Sequence, residues 1–186
     1  MRIHIRALAP GVRRFDAYVD RRFDRLRGVR AADRLLYTAS ELGDFSLLWH
    51  LVGWSAAPFS DRRRREAIEL SATLGVESAI VNQGIKRLFS RQRPVWEQER
   101  PRRLRQPKTT SFPSGHASSA FTAAAVLSRS WPRPLVYGLA VIVSASRVHV
   151  RIHHASDVVG GAIVGVALGA IARRVIDAVD TGGDAA

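Results

Sequence analysis

The chain has 186 residues and no cysteine, which excludes disulfides and thiolate metal sites. That length suits one domain, and a hydrophobic share of 46% excludes an intrinsically disordered chain. A formal net charge of +13 and a pI of about 11.6 point to an anionic partner: nucleic acid, a lipid surface or a phosphorylated substrate.

Residues 1–43 mix charges of both signs with helical periodicity. Phe15, Val19, Phe23, Leu26 and Val29 recur three to four apart with Arg and Asp between them. The pattern predicts an amphipathic helix lying on a bilayer surface, and an ordinary solvated helix fits it equally well. The start lacks a continuous apolar stretch with a cleavage site, so no secretory signal is expected. Further helices are expected at about 44–60, 66–88, 114–130, 134–149 and 155–176. The connection 89–113 holds Pro94, Pro101, Pro107 and Pro113 with seven basic residues, and is expected to be irregular. Asp177–Ala186 reads as a polar, frayed tail. No strand alternation is sustained and no long internal repeat is visible. The expected fold class is all-α, a single helical bundle. It divides into a basic segment at 1–43, the bundle at 44–176 and the tail at 177–186.

Hydropathy alone leaves a soluble and a membrane bundle open. Phe45–Ser60, Pro134–Ser146 and Val158–Ala172 are free of charge, but each is shorter than the roughly 20 residues that span a bilayer. The mean hydropathy is −0.06. Gly161, Gly165 and Gly169 repeat at a spacing of four, on one helix face. In a soluble helix each would be destabilising by about 0.8–1 kcal/mol relative to Ala. In lipid, small residues at that spacing let helices approach closely. The glycines favour a membrane-embedded bundle, with five or six spans.

Three clusters carry chemistry. The first runs from Lys86 through Arg93 to Pro94. Lys86 supplies a mobile point charge, and Arg93 a planar fork that holds two phosphate oxygens. A basic helix end facing solvent or lipid headgroups is the plainer reading of this cluster alone. The second is Pro113-Ser114-Gly115-His116. Ser114 is a candidate N-cap, the helix start behind it offers free N–H groups to an oxyanion, and Gly115 lets that oxyanion approach. His116, in the first turn, is placed to protonate a leaving oxygen. A capping serine beside an incidental histidine fits equally. The third runs from Ser146-Arg147 to His153 and Asp157. His153 and Asp157 are four apart, so one helical turn brings them together. A carboxylate on one imidazole nitrogen fixes the tautomer and leaves the other nitrogen free to attack.

Taken in order, Lys-x6-Arg-Pro, Pro-Ser-Gly-His and Ser-Arg-x5-His-x3-Asp resemble the motifs of the type 2 phosphatidic acid phosphatase (PAP2) superfamily. That superfamily also includes vanadium haloperoxidases and bacterial acid phosphatases. The resemblance covers about residues 66–175. It implies that His153 is the nucleophile, forming a phosphohistidine, and that Asp157 orients and charge-supports it. It implies that His116 protonates the departing alkoxide and then activates water. Lys86, Arg93, Ser114, Gly115 and Arg147 would bind the phosphate oxygens, with no metal or other cofactor. The short chain resembles the small bacterial membrane branch, which acts on lipid phosphates. The implied partners are therefore the membrane and a lipid phosphate, not nucleic acid. The implied location is the cell membrane with the site on its extracytoplasmic face, although the charge distribution does not itself choose an orientation. Family members often carry Gly in place of Arg151 and Tyr-Pro in place of His154-Ala155, and His149 stands where an aromatic residue is frequent. Those departures bear on substrate identity. The competing readings are a vanadate-dependent haloperoxidase, which the short chain disfavours, and a non-enzymatic nucleic-acid or phosphate binder, which leaves His116, His153 and Asp157 without a purpose.

Overall fold

The computed structural model describes residues 3–4, 10–96, 101–102 and 104–183. In chain order its main elements are β1 (Ile3–His4), α1 (Pro10–Asp24), α2 (Arg30–Leu42), α3 (Leu47–Ser55), α4 (Asp61–Ser78), α5 (Lys86–Leu88), β2 (Phe89–Ser90), α6 (Gly115–Leu127), α7 (Arg133–His149) and α8 (Ala155–Gly183). The architecture is all-helical, as the periodicity indicates. The small exception is a parallel pairing of β1 with β2, Ile3 opposite Phe89 and His4 opposite Ser90. Two residues per strand are too few to show alternation in a sequence.

Nine of the 13 residues of helix α6 are Ala, Ser, Thr or Gly, and no face of it carries Asp, Glu, Lys or Arg. Such a helix belongs inside. Ten of its 13 residues are buried, and it forms the axis of the bundle. Trp49 of α3, Leu70 and Leu74 of α4, and Val136, Ala140 and Val143 of α7 pack onto it. The glycine stripe of α8 lies along its other side. A Cβ on Gly161 would stand 2.3 Å from the Ser114 carbonyl oxygen, and one on Gly165 2.3 Å from that of Ser118. The Thr122 hydroxyl donates to the Gly165 carbonyl at 3.1 Å. The three glycines are thus the contact surface of two backbones.

The stretch 61–88 is continuously helical, but Ala79–Ile85 winds as a π-helix between α4 and α5. Such wider turns concentrate at functional sites. The N-terminal segment forms two helices, not one: Gly28, at φ 85°, breaks the chain between α1 and α2. Both pack on the bundle. α1 leaves Phe15 and Tyr18 exposed and buries Asp16 instead. α2 buries Leu36, Tyr37, Ala39 and Ser40.

Among the described residues one helix, α8, is long and apolar enough to cross a membrane, over Ala155–Thr181. α3, α6 and α7 have 9, 13 and 17 residues, short of the roughly 20 that a straight span needs. α4 opens on Arg62–Arg65. At that end of the bundle Arg129 pairs with Glu69 (2.9 Å), Asp177 (3.2 Å) and Asp180 (2.5 Å). Arg63 donates to the Ser130 carbonyl at 3.3 Å. The opposite end gathers the N-termini of α6 and α8, the C-terminus of α7 and the junction of α2 with α3.

Candidate active site

His153 lies in the turn that joins α7 to α8. Both Ile152 and His153 donate their backbone N–H to the Arg147 carbonyl at 3.1 Å, which folds the chain back on the helix end. The side chain is 2% exposed. Its Nε2 is 3.1 Å from Arg93 Nη1. A guanidinium has no acceptor, so Nε2 carries the lone pair and Nδ1 the proton. Nδ1 faces Asp157 Oδ2 at 3.6 Å and Ser111 Oγ at 3.5 Å. Ser111 in turn donates to Asp157 Oδ2 at 2.5 Å, so it bridges the pair. Burial pushes the imidazole down to about 3, with Arg93 and Arg147 acting the same way and Asp157 opposing them. Burial thus favours the uncharged ring, whose Nε2 lone pair accepts from Arg93 Nη1.

Asp157 stands in the first turn of α8 and caps its own helix by accepting from the His154 N–H at 2.9 Å. The Ser114 N–H donates to the Asp157 carbonyl at 3.0 Å, which ties the start of α6 to the start of α8. Ser114 is the N-cap of α6 and accepts from the Ala117 N–H at 3.4 Å. Gly115 follows. A Cβ there would meet Lys86 Nζ and Asn82 Oδ1, each at 3.4 Å, so the lysine head lies against the helix start.

His116 Nε2 lies 3.1 Å from Asp44 Oδ1. Asp44 belongs to the short 3-10 turn Asp44–Ser46. Burial pushes its carboxyl up, but the His116 hydrogen bond and the charges of His116, Arg147 and Arg105 outweigh that and hold it below the usual range. Gly43 precedes it, and a Cβ at that position would stand 2.6 Å from the His116 ring. Arg147 is buried and hydrogen-bonded by Nη1 to Ser40 Oγ of α2. Arg93 also donates to the carbonyls of Ile152 (2.9 Å), Thr109 and Thr110 (3.1 Å each).

Lys86, Gly115, His116 and His153 line one cavity of about 1030 Å³. It continues past Asn82 of the π-helical stretch and Ser78 and Ser71 of α4 to His50 of α3. Arg93 and Asp157 contact the two ring nitrogens of His153. All eight residues expected from the sequence therefore gather at one end of the bundle. Asp44, Ser111 and Arg91 join them and carry no motif. Arg91 donates to Asp157 Oδ1 at 2.5 Å.

Two of the departures, Arg151 and His149, lie outside the cavity lining. Arg151 has φ 48°, the left-handed region that glycine enters at little cost, which explains why glycine suits that position. Its guanidinium reaches Asp20 at 3.1 Å and Asp24 at 3.0 Å of α1. His149 is fully buried, 2.7 Å from Asp33 of α2, with Phe23 and Tyr37 edge-on to its ring. Arg27 then caps α7 by donating to the Val148 and His149 carbonyls, each at 2.9 Å. Helices α1 and α2 and the turn between them thus brace the turn that carries His153.

The family model for the PAP2 superfamily matches residues 66–180. The chain belongs to the PAP2 superfamily. As a PAP2 protein it is a phosphoric ester hydrolase. It is 36% identical over 146 residues to a decaprenylphosphoryl-5-phosphoribose phosphatase of Mycobacterium tuberculosis, 77% of each chain. It is 31% identical over 117 residues to the putative undecaprenyl-diphosphatase YbjG of Escherichia coli, 61% of this chain and 58% of that one. Two solved PAP2-type folds superpose on it. A transmembrane phosphatidylglycerolphosphate phosphatase from Bacillus subtilis gives a TM-score of 0.71 at 21% identity, over 92% of this chain and 89% of that one. LpxE of Aquifex aeolicus gives 0.69 at 23%, over 92% and 99%.

Proposed function

We propose that this PAP2 protein is a multi-pass membrane phosphatase that removes phosphate from a lipid-carried phosphate through a phosphohistidine. The observation that carries the reading is the orientation of His153. Its unprotonated Nε2 faces the Arg93 fork while Nδ1 faces Asp157 and Ser111. In the first step the Nε2 lone pair forms a P–N bond as the bond from phosphorus to the lipid oxygen breaks. His116 gives that oxygen its proton. Asp157 balances the positive charge left on the imidazole. In the second step a water oxygen attacks phosphorus, His116 takes the water proton, and the P–N bond breaks to free phosphate. Lys86, Arg93, Arg147 and the N–H groups behind Ser114 and Gly115 hold the phosphoryl oxygens, where charge stabilisation and in-line placement supply most of the catalysis.

Large apolar side chains on the outside of the bundle support the membrane setting: Leu47 and Leu51 on α3, Ile68 and Val76 on α4, Val141 on α7, and Ile163 and Val166 on α8 are all exposed. We read α3, α4, α6, α7 and α8 as the membrane-embedded body, with the site at its extracytoplasmic end. The polyprenyl class of lipid is favoured by what the relatives' names say those proteins act on. A cavity of about 1030 Å³ is far larger than a phosphate and is walled by Ser71, Ser78, Asn82 and Gln83, which suits a polar group between phosphate and lipid.

The test is phosphate release in detergent with EDTA, comparing wild type with His153→Ala. The substrates are a polyprenyl phosphate, its diphosphate, a polyprenyl-linked phosphosugar and phosphatidic acid. Release by wild type that disappears in the variant is expected, with polyprenyl carriers preferred. Release that survives His153→Ala refutes the phosphohistidine, and a preference for phosphatidic acid refutes the lipid class.

A further inference from the structure

Asp16 is the one buried residue of α1, at 8% exposure, on a helix that leaves Phe15 and Tyr18 exposed. Burying a carboxylate in place of an available phenyl ring is costly unless partners compensate it. Three groups do so. Arg91 Nη2 donates to Oδ2 at 2.7 Å. The Ser156 N–H donates to Oδ1 at 2.8 Å, and the Ser156 hydroxyl to Oδ2 at 2.9 Å. The same Arg91 donates through Nη1 to Asp157 Oδ1 at 2.5 Å and to Ser156 Oγ at 2.8 Å. A single guanidinium is therefore shared between a carboxylate of the N-terminal helix and the carboxylate that faces His153. Ser156, held at both its N–H and its hydroxyl, is the residue next to Asp157.

We propose that Asp16 is a positioning residue for the hydrolysis, acting through Arg91 to set the charge and placement of Asp157. The proposal rests on His153 being the nucleophile. Charge is counted over the linked set Asp16, Arg91, Asp157 and His153; Arg93 and Arg147 beside His153 add the same positive charge with and without Asp16. Asp16, Arg91, Asp157 and neutral His153 sum to one negative charge. When His153 becomes an imidazolium on phosphorylation, the sum is zero. Without Asp16 the same step takes the group from neutral to positive, and Arg91 directs its undivided charge at the carboxylate that His153 needs. Asp16 thus keeps Asp157 available to the imidazolium. A helix-docking strut would use the same bonds, but would leave kcat of the folded enzyme unchanged when the charge of Asp16 is removed.

The discriminating variant is Asp16→Asn, which keeps the shape and the oxygen that accepts from the Ser156 N–H, replaces the oxygen shared by Arg91 and the Ser156 hydroxyl with an NH2, and removes the charge. The full chain is assayed in detergent on a polyprenyl phosphate, with orthovanadate inhibition as the probe of the phosphate site. We expect kcat to fall about tenfold or more, with KM and the vanadate inhibition constant within about twofold of wild type. In an Arg91→Gln background the same change moves kcat less than about twofold, because the path runs through Arg91. An unchanged kcat, a rise in KM with kcat held, or multiplication of the two single effects overturns the proposal. His153→Ala run alongside separates the two failures. Turnover surviving there sinks the nucleophile, whereas a dead His153→Ala beside a fully active Asp16→Asn sinks only the role of Asp16. If Asp16→Asn does not run as a single species, Asp16→Glu is compared with Asp16→Gln, equal in length and different in charge. Equal kcat for those two also overturns it.

Discussion

Gly161→Ala is the sharpest test of how the α6–α8 contact serves the site. The added Cβ would stand 2.3 Å from the Ser114 carbonyl oxygen and 3.1 Å from Ala117 Cβ. The first neighbour is backbone, so no rotamer change relieves it. The two helices must part by about 1 Å to restore ordinary contact, and overpacking of that kind costs about 1–3 kcal/mol. That exceeds the roughly 1 kcal/mol that Gly→Ala gains in a helix interior. The same displacement strains the bond from the Ser114 N–H to the Asp157 carbonyl, now 3.0 Å, which sets the phosphate-binding turn against the His153–Asp157 pair. A misplacement near 1 Å at reacting groups costs on the order of 100-fold in rate. Gly138→Ala, in the middle of α7 with nothing within 4 Å of the new Cβ, is the control. It is expected to raise stability by about 0.5–1 kcal/mol and to leave turnover alone. Thermal unfolding in one detergent, with phosphate release measured on the same samples, reads both effects. If Gly161→Ala matches Gly138→Ala in melting temperature and keeps full turnover, the two helix backbones are not in contact as described.

Asp44→Asn removes the charge that faces His116, and kcat is expected to fall by about 10- to 100-fold with KM little changed, read by steady-state kinetics. Arg151→Gly relieves a left-handed backbone, worth about 1–2 kcal/mol, and loses a partly exposed pair with Asp20 and Asp24, worth up to about 1 kcal/mol. Turnover within about twofold of wild type and stability within about 1 kcal/mol are expected; a large loss of turnover would place Arg151 in the site after all. His153 gives the pH dependence. Its folded value of about 3 lies below the ordinary 6.5, so the unfolded chain binds the proton first. Stability is therefore lost as pH falls below 6.5, by about 2 kcal/mol at pH 5 from this group alone. His153→Gln is expected to show a shallower drop in melting temperature between pH 7 and pH 5, and parallel curves would contradict the buried neutral ring.

The parts of the site that were legible in the sequence are those where chemistry fixes a spacing. His153 and Asp157 are one helical turn apart, Ser114 and His116 share one helix start, and Lys86 and Arg93 flank a single helix end. Helix positions were legible for the same reason: α6 and α7 begin and end within about three residues of the expected bounds, and α8 begins where expected but stays helical to Gly183, through most of the stretch expected to fray. Asp44, Ser111 and Arg91 were not legible. Each meets its partner through tertiary packing across tens of residues; Gly43-Asp44 and Thr110-Ser111 are ordinary local sequence, and Arg91 stands at a variable position inside the Lys86–Arg93 cluster. Asp16 was hidden more deeply, because an aspartate on an amphipathic helix reads as its solvated face. The break at Gly28 divides what periodicity shows as one helix. The π-turn at Ala79–Ile85 leaves no trace in composition.

The bracing of the His153 turn has a consequence for exchanging parts among related enzymes. Arg27, Asp33 and the Asp20–Asp24 pair meet the turn at Val148, His149 and Arg151, so each half is cut to fit the other. The recognisable family sequence begins at residue 66, well after those contacts. A chimera joined at that boundary would inherit every motif residue and yet set a foreign pair of helices beneath the nucleophile's loop. A graft that carries residues 10–42 together with 147–157 transplants the matched interface instead, and is the exchange that keeps His153 in register.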